Sequence, residues 1–311
     1  MGRGKAILAL PAVVCAGWGV ACASAPLQSN TNSTFAPASS DSREASKPAG
    51  LEPSASGDEL ARSTAPGEAS PPLPSAPNPP PPAPAARFEA LQVPGHLEAV
   101  VSLPSAGSRQ PVLVATHGAG GAPEPHCMAW RRHLGDRGIV VCPRGAMINR
   151  RIGPDAGFYY PNHFALEKEV LATLTSFETT YAEHILAGNY VYAGYSQGAT
   201  MGALMLPAHA DRFKRVLLVE GGFDEWPLAS ARRFAERGGE RVAFVCGVAA
   251  CNRGAERSTH ILHQAELLAL SKHAPGAGHT YLGPVAERVH EAFLWLVDGY
   301  PGWQNLEQNG I

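Results

Sequence analysis

Gly194-Tyr195-Ser196-Gln197-Gly198 is a G-x-S-x-G pentapeptide, and its surroundings decide what the serine can do. An apolar run over 190–194 leads into it, and a helical pattern from residue 199 leaves it. A strand-to-helix turn that tight forces a strained backbone on Ser196 and lifts its Oγ above the edge of a sheet. The flanking glycines let strand and helix approach where a Cβ would collide. A serine held in this way next to a base is a nucleophile.

A second pattern would serve the same reaction. His117-Gly118-Ala119-Gly120-Gly121 closes another apolar run, and a glycine-rich turn there can aim backbone N–H groups at developing negative charge. The expected donors are the amides of Ala119, with Gly118 beside it in the loop, and of Gln197, the residue after the nucleophile. A phosphate-binding loop is excluded at this run, because neither G-x-x-x-x-G-K-[ST] nor G-x-G-x-x-G is present.

Twelve histidines compete for the role of base. His279 stands out by position, in Pro275-Gly276-Ala277-Gly278-His279, a flexible loop between the last apolar stretch and the last helical pattern. From there it can reach the serine at the carboxyl edge of a sheet. His273 is its nearest rival. His126, His133, His209 and His260 read as solvent-facing helix positions. Neither H-E-x-x-H nor C-x-x-C occurs, so no metal site is expected.

These residues need a scaffold. Residues 88–93 and 97–103 alternate around Pro94-Gly95, which predicts a β-hairpin. Short apolar runs follow at 111–116, 139–142, 190–194, 216–219 and 242–246, the form taken by strands buried on both faces of a parallel sheet. Helical patterns lie between and after them, at 126–135, 164–184, 199–210, 228–236, 256–270 and 284–297. The prediction is an α/β fold: a mostly parallel central sheet with an antiparallel leading edge and helices on both faces.

The order HGAGG, GYSQG, GAGH resembles the α/β-hydrolase family, especially small esterases of the carboxylesterase and feruloyl-esterase type, over roughly 90–300. GYSQG is also similar to the pentapeptide of cutinases, which lack an HGAGG loop. The resemblance implies a Ser–His–acid triad working through an acyl-enzyme, with no cofactor and a small-molecule ester as substrate. The same fold and triad also serve peptidases and polyester depolymerases.

The acid departs from the family pattern. In most members it follows the seventh strand, but the corresponding turn here, Cys246-Gly247-Val248-Ala249-Ala250-Cys251-Asn252, holds no carboxylate. The nearest candidates are Glu220, directly after the run at 216–219, and Asp224, beyond Gly221-Gly222; Glu220 is favoured. The empty position also fits a binding module that kept the fold and lost activity.

Outside the enzyme-like region, 1–22 has the charged start, short apolar run and small-residue end of an export signal. Gly19-Val20-Ala21-Cys22 resembles a lipobox, so Cys22 is a candidate for lipidation and membrane tethering; ordinary cleavage around Ala21-Cys22-Ala23 fits too. Residues 23–86 form a linker: 14 of the 28 prolines fall within 26–86 and Phe35 is its only aromatic, a composition that cannot offset the entropy of ordering. The folded domain is expected over 87–305. Its cysteines allow three pairings, of which Cys127–Cys142 and Cys246–Cys251 are expected because each pair is close in the predicted topology; four reduced thiols are the alternative. A net charge of −2 offers no footprint for nucleic acid. Oligomeric state is not legible in the chain.

Overall fold

The leading hairpin forms where alternation predicts it: Arg87–Leu91 (β1) pairs antiparallel with Ala99–Leu103 (β2), from Arg87↔Leu103 to Leu91↔Ala99. The computed structural model describes residues 86–105, 109–148 and 157–304. The export signal over 1–22, Cys22, the linker as far as residue 85 and the domain's expected last residue, 305, lie outside the described residues.

The chain continues with Gln110–Thr116 (β3), Pro123–Leu134 (α1), Ile139–Cys142 (β4), the two-residue strands Ala146–Met147 (β5) and Phe158–Tyr159 (β6), His163–Thr180 (α2) and Ile185–Tyr195 (β7). Gln197–Met205 (α3), Arg215–Val219 (β8), Leu228–Glu236 (α4), Arg241–Cys246 (β9), Ala249–Gln264 (α5), Leu268–His273 (β10) and Pro284–Val297 (α6) complete it. Eight strands make one sheet in the order β1-β2-β4-β3-β7-β8-β9-β10. Pairing is antiparallel from β1 through β4 and parallel from there onward.

The apolar runs are strands covered on both faces. In β3, Val112 and Val114 enter one core and Leu113 and Ala115 the other, all at 0% exposure, as the period of two requires. One core takes Leu166, Val170 and Phe177 of α2 and Phe234 of α4. The other takes Trp130 of α1 and Val289, Phe293 and Leu296 of α6. Truncating a side chain such as Leu113 to alanine costs about 2–5 kcal/mol at such sites.

Three sequence readings need correction. The helix expected over 256–270 runs instead over Ala249–Gln264, and a parallel edge strand, β10, takes up the end of that stretch. Glu266, with φ 63°, turns the chain out of the helix. β10 is only half-buried, so it shows no continuous apolar run. The strands β5 and β6 are too short to produce any periodicity. His126, expected on a solvent face, is buried on the inner side of α1, where its Nε2 accepts from the Trp130 indole at 3.2 Å.

Both expected cysteine pairs are bonded, with Cα separations of 5.9 Å for Cys127–Cys142 and 5.6 Å for Cys246–Cys251. From β3 the sheet grows to one side through β4 and to the other through β7. That reversal opens a crevice at the carboxyl ends of β3 and β7, where open α/β sheets bind their ligands.

Candidate active site

Ser196 stands in that crevice, between the end of β7 and the start of α3, with φ 51° and ψ −111°. Its amide donates to Val219 O at 2.8 Å, which ties the turn to the neighbouring strand. The two glycines of the motif are fixed by close approach. A Cβ on Gly194 would lie 2.6 Å from the Ala199 backbone, and one on Gly198 would lie 2.5 Å from Thr116 O. Strand, helix and β3 can meet here only without those carbons.

His279 comes from the loop between β10 and α6. Gly276 and Gly278 both take φ 76° in it, a conformation that glycine adopts without strain. The loop brings His279 Nε2 to 2.9 Å from Ser196 Oγ. With the hydroxyl donating to Nε2, the proton of a neutral ring sits on Nδ1. His273 ends β10 opposite Cys246 and takes no part in this pair.

Nδ1 of His279 faces Glu220, 3.5 Å from Oε2. Glu220 terminates β8 with φ 54° and a side chain only 1% exposed. Its Oε1 accepts from the Gly247 amide and, at 3.3 Å, from the Val248 amide. Oε2 has no hydrogen-bond partner among the described residues. The carboxylate is therefore anchored through one oxygen and offers the other to the imidazole. The 3.5 Å separation exceeds a formed hydrogen bond, and such contacts tighten when substrate binds. Asp224 is elsewhere: its Oδ1 is 3.2 Å from Arg257 Nη2 in an exposed ion pair. The structure thus brings Ser196, His279 and Glu220 together and leaves Asp224 out.

The glycine-rich loop after β3 lies alongside. Gly120 N donates to Phe158 O at 2.9 Å and Gly121 N to Gly118 O at 3.0 Å, so both of these amides are committed to holding the loop. Those of Gly118, Ala119 and Gln197 have no partner among the described residues. Gly118 packs against the nucleophile, since a Cβ there would be 3.1 Å from Ser196 Cβ. His117 lies between two carbonyls, Nδ1 at 2.8 Å from Gly118 O and Nε2 at 2.7 Å from Arg144 O; burial holds its pKa below the ordinary histidine value, and a neutral ring donates to one of them.

Three contributions escape the sequence motifs. Tyr195 donates its hydroxyl to His279 O at 3.1 Å and packs edge-on against Tyr281 at 4.6 Å. Burial, and after it the charge of Glu220, pushes the Tyr195 phenol up to about 12, so it stays a donor. The Tyr160 amide donates to Gln197 Oε1 at 2.8 Å and holds the residue after the nucleophile. The Gly247 and Val248 amides fill the place where the family pattern puts an acid. An aromatic inside G-x-S-x-G was visible in the chain; the other two left no local mark.

No family model matches the chain, and no curated protein matches it. Solved structures do. The fluorophosphonate-binding serine hydrolase FphF of Staphylococcus aureus aligns at TM-score 0.53 and 12% identity, over 68% of this chain and 98% of that one. The feruloyl esterase module of Clostridium thermocellum, complexed with sinapinate, aligns at TM-score 0.51 and 13% identity, over 71% and 92%. An esterase of Pyrobaculum calidifontis aligns at TM-score 0.50 and 17% identity, over 70% and 86%. The chain has the α/β-hydrolase fold. Within this hydrolase fold the departure lies in the carboxylate beside His279, which rises from β8, while the turn after β9 supplies that carboxylate's amide donors.

Proposed function

We propose that this protein is an exported serine hydrolase that cleaves carboxylic esters through an acyl-enzyme. One observation carries the reading: Ser196 Oγ, on a positive-φ strand-to-helix turn, lies 2.9 Å from His279 Nε2. Ser196 attacks the ester carbonyl as His279 takes its proton at Nε2 and later returns it to the departing alcohol. Glu220 stabilises the imidazolium through Nδ1–H. The Ala119 and Gln197 amides, with Gly118 beside them, receive the oxyanion, and the positive end of α3 adds to their field. Water repeats the sequence on the acyl-enzyme and frees Ser196.

The His279 side chain is 52% exposed, so the pair is reachable from solvent. That favours small, accessible esters. Cys22 is proposed as a lipid tether holding the domain at a membrane surface, with 23–86 as the spacer; Cys22→Ala should then release the protein from the membrane fraction.

The deciding experiment pairs a fluorophosphonate probe with a nitrophenyl ester. The probe should label the parent on the Ser196 peptide, and Ser196→Ala should lose both labelling and several orders of magnitude in turnover, as nucleophile removal does. A purified, folded variant with near-parental turnover would overturn the reading.

A further inference from the structure

The turn between Cys246 and Cys251 touches both the acid and the loop that carries the base. On one side, the Gly247 and Val248 amides bind Glu220 Oε1. On the other, Cys246 O accepts from Ala274 N at 2.8 Å, where the chain leaves β10 for the loop carrying His279. Gly247 also lies directly under that loop, since a Cβ on it would be 2.3 Å from Gly278 O and 3.0 Å from Glu220 Oε1. The Cys246–Cys251 disulfide closes this turn across a sequence separation of 5, and both cysteines are buried. Glu220 is 27 residues away in sequence from Gly247, so it is the shape of the turn, not proximity in the chain, that brings the amide donors to the carboxylate.

We infer that the disulfide-closed turn Cys246–Cys251 is a positioning element for the reaction, holding Glu220 and the His279 loop in register with each other. Cys127–Cys142 bonds α1 to β4, and the polar atoms beside Cys127 Sγ are Val100 O at 3.6 Å and Val140 O at 3.9 Å, not groups of Glu220 or His279. The proposal rests on the hydrolase reading above. A chain with one disulfide in the machinery and one outside it contains its own comparison.

The test is a double-mutant cycle on the full chain, using a nitrophenyl ester below each variant's unfolding temperature. Cys246→Ala/Cys251→Ala should lower kcat by roughly tenfold or more with KM changed less than about twofold, the pattern of an interaction felt in the transition state. Glu220→Gln alone should also lower kcat. Combined, the losses should not multiply, because both changes disable the same carboxylate–imidazole pair. Cys127→Ala/Cys142→Ala should keep parental kcat. Val248→Pro, which removes one amide donor and leaves the disulfide intact, should repeat the non-additivity with Glu220→Gln, and it carries the test if the cysteine variant does not fold. Parental kcat in the Cys246/Cys251 variant, or losses that multiply, would overturn the turn's role. If instead the parent lacks fluorophosphonate labelling at Ser196, it is the hydrolase reading that fails.

Discussion

Ser196 and Glu220 leave neighbouring parallel strands at nearly the same positive φ, 51° and 54°. Each is pinned by its amide to the next strand, Ser196 N to Val219 O at 2.8 Å and Glu220 N to Val245 O at 2.9 Å. A non-glycine residue held at positive φ costs about 1–3 kcal/mol. Among the described residues only Glu266 shares the feature, where a helix ends. At Ser196 and Glu220 the strain does something else: it carries both side chains to the one imidazole.

Glu220→Gln should lower kcat by roughly 100- to 10,000-fold, the range set by losing the charge behind a histidine base. The amide can still accept from Gly247 and Val248 with its oxygen, but it then turns an NH2 group toward Nδ1. That stabilises the tautomer with its proton on Nε2, which cannot accept from Ser196. Asp224→Asn, at an exposed ion pair, should stay within about twofold of parent. Turnover of the two variants at equal folded fraction decides the point, and a large loss in Asp224→Asn alone would move the assignment there.

Tyr195→Phe removes the hydrogen bond that ties the His279 backbone to the residue before the nucleophile. Such a bond contributes about 1 kcal/mol net. The variant should bind substrate nearly as the parent does, lose about tenfold in kcat, and melt a few degrees lower by circular dichroism. Parental kcat would mean that the packing of Tyr281 and the Ala274–Cys246 bond are enough to hold the loop.

Acid should destabilise the fold through its buried imidazoles. Burial lowers His126 from 6.5 to about 3 and His133 from 6.5 to about 4. Between pH 6.5 and these values the unfolded chain takes up protons that the folded chain refuses, so stability falls as pH falls. Above pH 6.5 both groups are neutral in either state and add no slope. Each proton contributes at most about 1.4 kcal/mol per pH unit. His126→Gln keeps an acceptor for the Trp130 indole and should flatten the dependence by one proton, read from urea unfolding at pH 5, 6 and 7. Parallel curves for variant and parent would mean that His126 charges within the folded protein.

What the chain determined by itself was local or periodic. Continuous apolar runs gave the buried strands, alternation gave the leading hairpin, and the strand–turn–helix context of G-x-S-x-G marked Ser196, because all depend on neighbours a few residues apart. The position of His279 before the last helix was legible for the same reason. The Cys246–Cys251 pair was legible too, since a separation of 5 leaves the chain little choice. The tertiary structure decided the remainder. Nothing near Glu220 in sequence distinguishes it from Asp224; the amides of Gly247 and Val248, 27 and 28 residues on, do. The edge strand β10 lacked an apolar run because it is only half-buried, and His126 read as exposed because its burial depends on Tyr281 arriving from the far end of the chain. Contacts of that range are fixed by packing the whole sheet, which no short window of residues contains.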